Sequence, residues 1–94
     1  MLFKSVAGVI GPRLPLPTSY FTGDFNEIYN SGLYAYNRFE SSSVTNSPGA
    51  NYGLVLSLVY GSIRVQLGFI AGAAPNMFFR EDYGDGWRSW ASII

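Results

Sequence analysis

The 94-residue sequence contains no cysteine and no histidine. Disulfide bonds, Cys/His metal sites and catalysis by a thiol or an imidazole are therefore excluded. Charged residues make up only 13% of the chain and cancel to a formal net charge of zero, which leaves no basic surplus to hold nucleic acid. No apolar run reaches the roughly 18 residues of a membrane helix, and we expect neither membrane insertion nor a cofactor.

Aromatic residues, in contrast, reach 17%. A small, charge-poor chain with this many aromatics is expected to cover some apolar surface with another chain, so we predict a homo-oligomer. Short apolar segments between turn residues predict a mostly β fold: a small antiparallel sheet or sandwich with one short N-terminal helix. The proline-rich residues 1–20 are predicted to be an extended connector, and residues 21–94 the β domain.

The clearest local pattern is a β-hairpin centred on Gly61-Ser62. A glycine at the first turn position supplies the positive φ of a type II′ turn. The turn sets a register that places apolar pairs opposite one another on one face: Leu54 with Phe69, Leu56 with Leu67, Leu58 with Val65, and Tyr60 with Ile63. The other face is mixed, since it carries Ser57, Arg64 and Gln66. We therefore expect the rest of the chain to cover the wholly apolar face as the core.

Other elements follow from capping and alternation. Residues 24–29 are predicted to form a helix of one to two turns, with Asp24 as its cap and Glu27 completing a capping box. Residues 33–39, 77–80 and 87–94 are predicted strands, the last of them closing the domain.

Six short motifs occur in an order that resembles the pyocin knob family of phage and tailocin tail fibres. They are Gly32-Leu33-Tyr34, Asn46-Ser47-Pro48, the apolar strand that follows it, Gln66, Phe79-Arg80 and Trp87-Arg88-Ser89-Trp90. The resemblance covers residues 25–94. The sequence departs from the family pattern in its Ala/Gly-rich loop before Met77 and at Phe78-Phe79.

The resemblance implies a C-terminal fibre tip in a virion or tailocin particle, acting outside the producing cell. It implies a homotrimer that binds a bacterial surface polysaccharide or lipopolysaccharide without catalysis, and makes residues 1–20 the junction to a fibre shaft. Two alternatives remain: a purely structural trimerisation cap, and a fragment of a polysaccharide depolymerase.

Candidate glycan-binding residues form two groups. Tyr83, Asp82, Arg88 and Trp90 combine rings with charged groups that hydrogen-bond sugar hydroxyls, and Tyr36 with Arg38 is a second cluster. In an ideal strand Trp87 and Trp90 lie on opposite faces, which makes one of them core and leaves the other exposed, at an interface or bent inward.

The acidic turn that contains Glu81, Asp82 and Asp85 is interpreted as a solvated hairpin turn. It lacks the terminal bidentate glutamate of a full EF-hand loop, so we predict no metal site. A pair of carboxylates can also hydrolyse a glycan, but we predict no catalytic residue here.

Overall fold

The structure, a computed structural model, describes residues 16–40, 43–49, 51–72 and 75–93. These residues form one five-stranded antiparallel sheet whose strands neighbour one another in chain order. The strands are β1 (Gly32–Asn37), β2 (Tyr52–Tyr60), β3 (Ile63–Ile70), β4 (Met77–Asp82) and β5 (Ala91–Ser92). The predicted mostly β, antiparallel fold is confirmed. Most of the predicted connector, residues 1–15, lies outside the described residues.

The central hairpin has the predicted register. Tyr60 pairs with Ile63, Leu58 with Val65, and so on to Leu54 with Phe69. Gly61 has a φ of 61°, the left-handed conformation that the two-residue turn requires. The turn residues alone therefore determined which side chains share a face.

The prediction of which face is the core was wrong. The apolar face, which we call the open face, has no layer of the described chain over it, and Tyr60, Leu58 and Leu54 remain 86%, 48% and 41% exposed. The outer strands extend it, because their register places four more apolar residues beside those of the hairpin. These are Leu33, Ala35, Met77 and Phe79.

The opposite, mixed face is covered, and we call it the covered face. Val55, Ser57 and Gln66 are fully or almost fully buried there. The covering layer consists of residues 21–28, residues 43–49 and residues 87–90. Its core cluster is formed by Phe25, Ile28, Tyr36, Val44 and Val55.

Two predicted elements are shorter in the structure. The helix is a single 3-10 turn, Phe25–Glu27, whose cap Asp24 accepts a hydrogen bond from the Asn26 N–H. The closing strand is reduced to Ala91–Ser92, because the pairing with β4 shifts by one residue between the Asp82–Trp87 bridge and the Phe79–Ala91 pair.

The chain enters the sheet along the outer edge of β1. Tyr20 forms a parallel bridge with Ala35, and the Phe21 N–H donates to the Ala35 carbonyl at 2.7 Å. The Phe21 ring then packs at 4.8 Å from Phe25 and 5.7 Å from Tyr34, both on the covered side. Residues 16–20 also line a shallow cavity with Leu33 and Ala35, so this segment lies at the β1 margin of the open face and leaves the exposed residues of β2 and β3 clear.

Candidate functional site

Five side chains stack alternately over the covered face in what we call the cation–π ladder, in the order Tyr29, Arg64, Trp87, Arg80, Trp90. The Arg64 guanidinium carbon lies 4.2 Å from the centroid of Tyr29 and 4.8 Å from that of Trp87. The Arg80 guanidinium carbon lies 4.2 Å from the centroid of Trp87 and 4.6 Å from that of Trp90. All four contacts are within cation–π range, so the ladder holds the C-terminal segment against the sheet.

The strand register explains how the arginines reach the ladder. Arg64 pairs with Asp82, and Gln66 pairs with Arg80, across β3 and β4. Residues two apart in a strand point to the same side, so all four polar side chains face the covering layer.

Gln66 and Arg80 form the centre of a buried hydrogen-bond network. The Gln66 Nε2 donates to the Phe25 carbonyl at 2.9 Å, and its Oε1 accepts from the Arg80 Nε at 2.9 Å. The Arg80 Nη1 donates to the Asn26 Oδ1 at 2.7 Å. The network fastens the 3-10 turn to the middle of the sheet.

Asp82 fixes the turn that follows β4. Its Oδ2 pairs with the Arg64 Nη2 at 2.7 Å, and its Oδ1 accepts from the backbone N–H groups of Gly84 and Gly86 at 2.7 and 3.1 Å. The hydrogen bond from Gly84, followed by that from Arg64, lowers the pKa of Asp82 below its ordinary value. Its position indicates a structural role, because it is only 4% exposed.

Arg80 is a buried cation whose hydrogen-bonding capacity is not filled. It is 4% exposed, and its Nη2 has no hydrogen-bond partner among the described residues. Burial lowers the pKa of Arg80 to about 10, with Asp24 and Asp82 acting in the opposite direction. Arg80 stays protonated at neutral pH, and its charge is only partly balanced.

A shallow cavity of about 380 Å³ lies beside the ladder. We call it the tryptophan cavity, and it is lined by Asn26, Asn46, Arg80, Trp87, Arg88, Ser89 and Trp90. Amide, hydroxyl and guanidinium groups dominate its wall. The Trp90 Nε1 is already used, since it donates to the Asn46 carbonyl at 3.0 Å.

Two of the six predicted site residues, Arg88 and Trp90, line the tryptophan cavity. Tyr83 stands next to them, 55% exposed, with its ring centroid 5.9 Å from the Arg88 guanidinium carbon. Arg88 is also exposed and pairs with Asp85 at 3.1 Å.

The second predicted cluster is divided by the fold. Tyr36 is fully buried in the core, with its hydroxyl directed to the Gly49 carbonyl at 3.5 Å. Arg38 is exposed in the turn after β1, three strands away from β4. The two side chains therefore do not form one surface.

The two tryptophans agree with the alternative in which one of them is bent inward. Both lie on the covered side because the pairing with β4 shifts by one residue between Trp87 and Ala91, and Trp87 is contacted by two guanidinium groups. These contacts occupy ring surface that stacking on a sugar would use. The exposed ring beside Arg88 is instead that of Tyr83, while Tyr29, also exposed, stacks on Arg64 at the other end of the ladder.

The ladder is the part of the site that sequence reasoning missed. The sequence indicates it in one way only: once the strands are paired, Arg64, Gln66, Arg80 and Asp82 fall on the same face of the sheet. Within the described residues there is no group of three acidic side chains that would suit a metal ion, and no helix of a length and apolarity that would cross a membrane.

No protein-family model matches this chain, and no curated protein or solved structure matches it significantly.

Proposed function

We propose that this chain is the receptor-binding tip domain of a phage or phage-like tail fibre, and that it binds a bacterial surface glycan without chemical conversion. The observation that carries the proposal is the tryptophan cavity with the exposed Arg88 and Tyr83 at its rim. The order of motifs that resembles the pyocin knob family supplies the fibre context.

The lining of the cavity suits a sugar. Asn26, Ser89 and Arg88 offer polar groups to hydroxyls, and the Tyr83 ring beside Arg88 offers a flat apolar surface. A volume of about 380 Å³ is at the small end of the ligand-pocket range, which favours one or two sugar units over a long chain.

The charges favour an acidic glycan. Arg88 presents a guanidinium at the rim, and the incompletely paired Arg80 lies in the wall. A carboxylate or phosphate on the glycan would gain charge-assisted hydrogen bonds from a guanidinium. Because the Arg80 Nη2 is closed off from solvent, Arg88 makes the first contact in this proposal.

A non-catalytic role is favoured over the depolymerase alternative. Asp82 is committed to Arg64 and to two backbone N–H groups, and Asp85 is paired with Arg88. Neither carboxylate of this turn stands free beside the cavity, as acid–base work on a glycosidic bond would require.

The test is binding to an array of acidic and neutral bacterial surface polysaccharides. We expect acidic glycans to bind, and Arg88→Ala to weaken that binding about tenfold or more, since a charge-assisted hydrogen bond is lost. Arg38→Ala is the matched control: it removes the same charge from another exposed site and is expected to leave binding unchanged. No binding on the array, together with normal host adsorption after deletion of the domain, would refute the proposal.

The structural trimerisation cap is kept as a second candidate because the open face suits association. The same variants separate the two functions. Arg88→Ala is expected to remain oligomeric while losing glycan binding and adsorption. A pure cap would show normal adsorption with this variant.

A further inference from the structure

The open face of the sheet contains no charged side chain except at its margin. Paired rows from β1 to β4 contribute only apolar residues to it, and Glu81 and Asn37 stand at its border. An apolar face of a sheet is ordinarily buried against another layer. Here the described chain covers only the face that carries Gln66, Arg64 and Arg80.

The exposed apolar area reaches the upper end of what a monomer surface shows. Taking roughly 150–250 Å² for each whole side chain, the six most exposed large residues of the face leave on the order of 600 Å² open. They are Tyr52, Leu54, Leu58, Tyr60, Ile63 and Phe69. The half-buried residues between them bring the face towards the ~800 Å² per partner of a standard protein–protein interface. The largest apolar patch on a monomer is about 300–600 Å².

We infer that the open face is the surface through which copies of this chain associate. A second copy fits because an apolar surface without charge is complementary to itself, and no charge has to be buried when two such faces meet. Sheets that pack face to face at about 10 Å interdigitate side chains of this kind. The inference goes beyond glycan binding and stands on the sheet alone.

The preceding segment of the chain is the competing occupant. Residues 16–20 follow the outer edge of β1, and Phe21 turns towards the covered side. Residues 16–20 line a shallow cavity with Leu33 and Ala35, so they stay at the β1 margin of the open face and leave the exposed side chains of β2 and β3 uncovered. A copy of the chain presents the required area in one piece, which a single extended segment does not.

The experiment measures the mass of the full chain by light scattering during gel filtration. We expect at least twice 10.3 kDa: a dimer if two open faces pack directly against each other, and a trimer if three open faces meet around a three-fold axis, as the fibre-tip proposal requires. Leu58→Glu and Leu54→Glu each place a carboxylate on the face, and each is expected to reduce the mass to 10.3 kDa. Thr45→Glu is the control: Thr45 is exposed in the loop over the covered face, so it adds the same charge away from the open face, and the mass of this variant is expected to match that of the unaltered chain.

Folding of the variants is checked by tryptophan fluorescence, because Trp87 and Trp90 lie on the covered side and report on the ladder rather than on the open face. A monomeric variant with an unchanged emission spectrum supports the inference. A monomeric unaltered chain would overturn it, and so would an oligomer that both glutamate variants leave intact. If the chain is a monomer whose open face is protected from solvent, and if deletion of residues 1–15 removes that protection, then the face is covered by that segment instead. If the glutamate variants change the mass as expected but no glycan binds, the proposed function is refuted and the inference about the open face stands.

Discussion

At the scale of single residues, Gln66 stabilises the fold more than its polarity suggests. It is fully buried and joins the Phe25 carbonyl to the Arg80 Nε. Gln66→Leu is expected to lower the free energy of unfolding by about 3 kcal/mol, because it leaves a carbonyl and a guanidinium N–H buried without partners. Chemical denaturation at fixed protein concentration measures this loss.

Ser57 is the matched control for that prediction. It is as buried as Gln66 and lies opposite it in the sheet, but its hydroxyl has no hydrogen-bond partner among the described residues. Ser57→Ala should therefore change the free energy of unfolding by less than about 1 kcal/mol, or raise it. Equal losses for Gln66→Leu and Ser57→Ala would contradict the proposed role of the network.

The contacts of Asp82 predict that the folded protein loses stability in acid. Its pKa is lower in the folded protein than in the unfolded chain, where it is about 3.9. On acidification the unfolded state therefore takes up the proton first, and stability falls as the pH drops below about 4. Asp82→Asn should show a smaller loss over the same pH interval, although its stability at neutral pH is lower.

The comparison for Asp82 is Asp85→Asn, which removes a carboxylate from an exposed ion pair and should keep most of the acid-dependent loss. Thermal unfolding from pH 7 to pH 2 gives both curves. If stability falls equally steeply with acidification in Asp82→Asn and in the unaltered chain, Asp82 is not the source of the acid-dependent loss.

The sequence was informative about some residues and silent about others. Asp24 as a cap followed from residue type and spacing, since capping is a local interaction. The burial of Tyr36 and the partners of Asp82 depend on segments distant in sequence that pack against them. Alternation alone shows which residues share a face, but not what lies over it.

At the scale of elements, the β2–β3 hairpin shows what the sequence could predict and what it could not. Gly61-Ser62 predicted its register because the turn is local. The buried face could not be predicted, since the usual rule assumes that a chain buries its most apolar side. Here the polar side is buried because Gln66, Arg64 and Arg80 find backbone and side-chain partners in the covering layer.

The loop of residues 43–49 depends on a glycine in β3. A Cβ added at Gly68 would lie 2.5 Å from the Pro48 Cγ, so only glycine lets the proline rest on the sheet. Gly68→Ala is expected to cost about 1–3 kcal/mol through overpacking. Gly32→Ala, whose added Cβ would meet its nearest atom at an ordinary 3.6 Å, is the control and should be nearly neutral. Denaturant midpoints measure both changes, and a neutral Gly68→Ala would show that the loop is not held this way.

The closing segment was predicted as a strand because it follows the turn that contains Gly84 and Gly86. The ladder overrides this pattern. Gly84 and Gly86 adopt positive φ, and together with Asp82 they redirect the chain so that the tryptophans reach the arginines. Long-range cation–π contacts of this kind leave no periodic pattern in a sequence.

At the scale of the whole molecule, the proposed association through the open face would couple stability to concentration. The folded assembly is favoured by mass action, so the midpoint temperature of unfolding should rise with protein concentration. The monomeric Leu58→Glu variant should show no such rise. Scanning fluorimetry over a dilution series measures both, and a midpoint independent of concentration in the unaltered chain would count against the coupling.

The edges of the sheet determine what kind of particle such contacts build. Tyr20 and Phe21 border the outer side of β1, while Trp87, Arg88, β5 and Ile93 meet the outer side of β4 through bridges and backbone hydrogen bonds. The β1 edge is paired at Ala35, and the opposite edge strand, β5, is only two residues long, so lateral strand addition is hindered. If copies associate through the open face as proposed, they would form a small closed cluster rather than an endless ribbon.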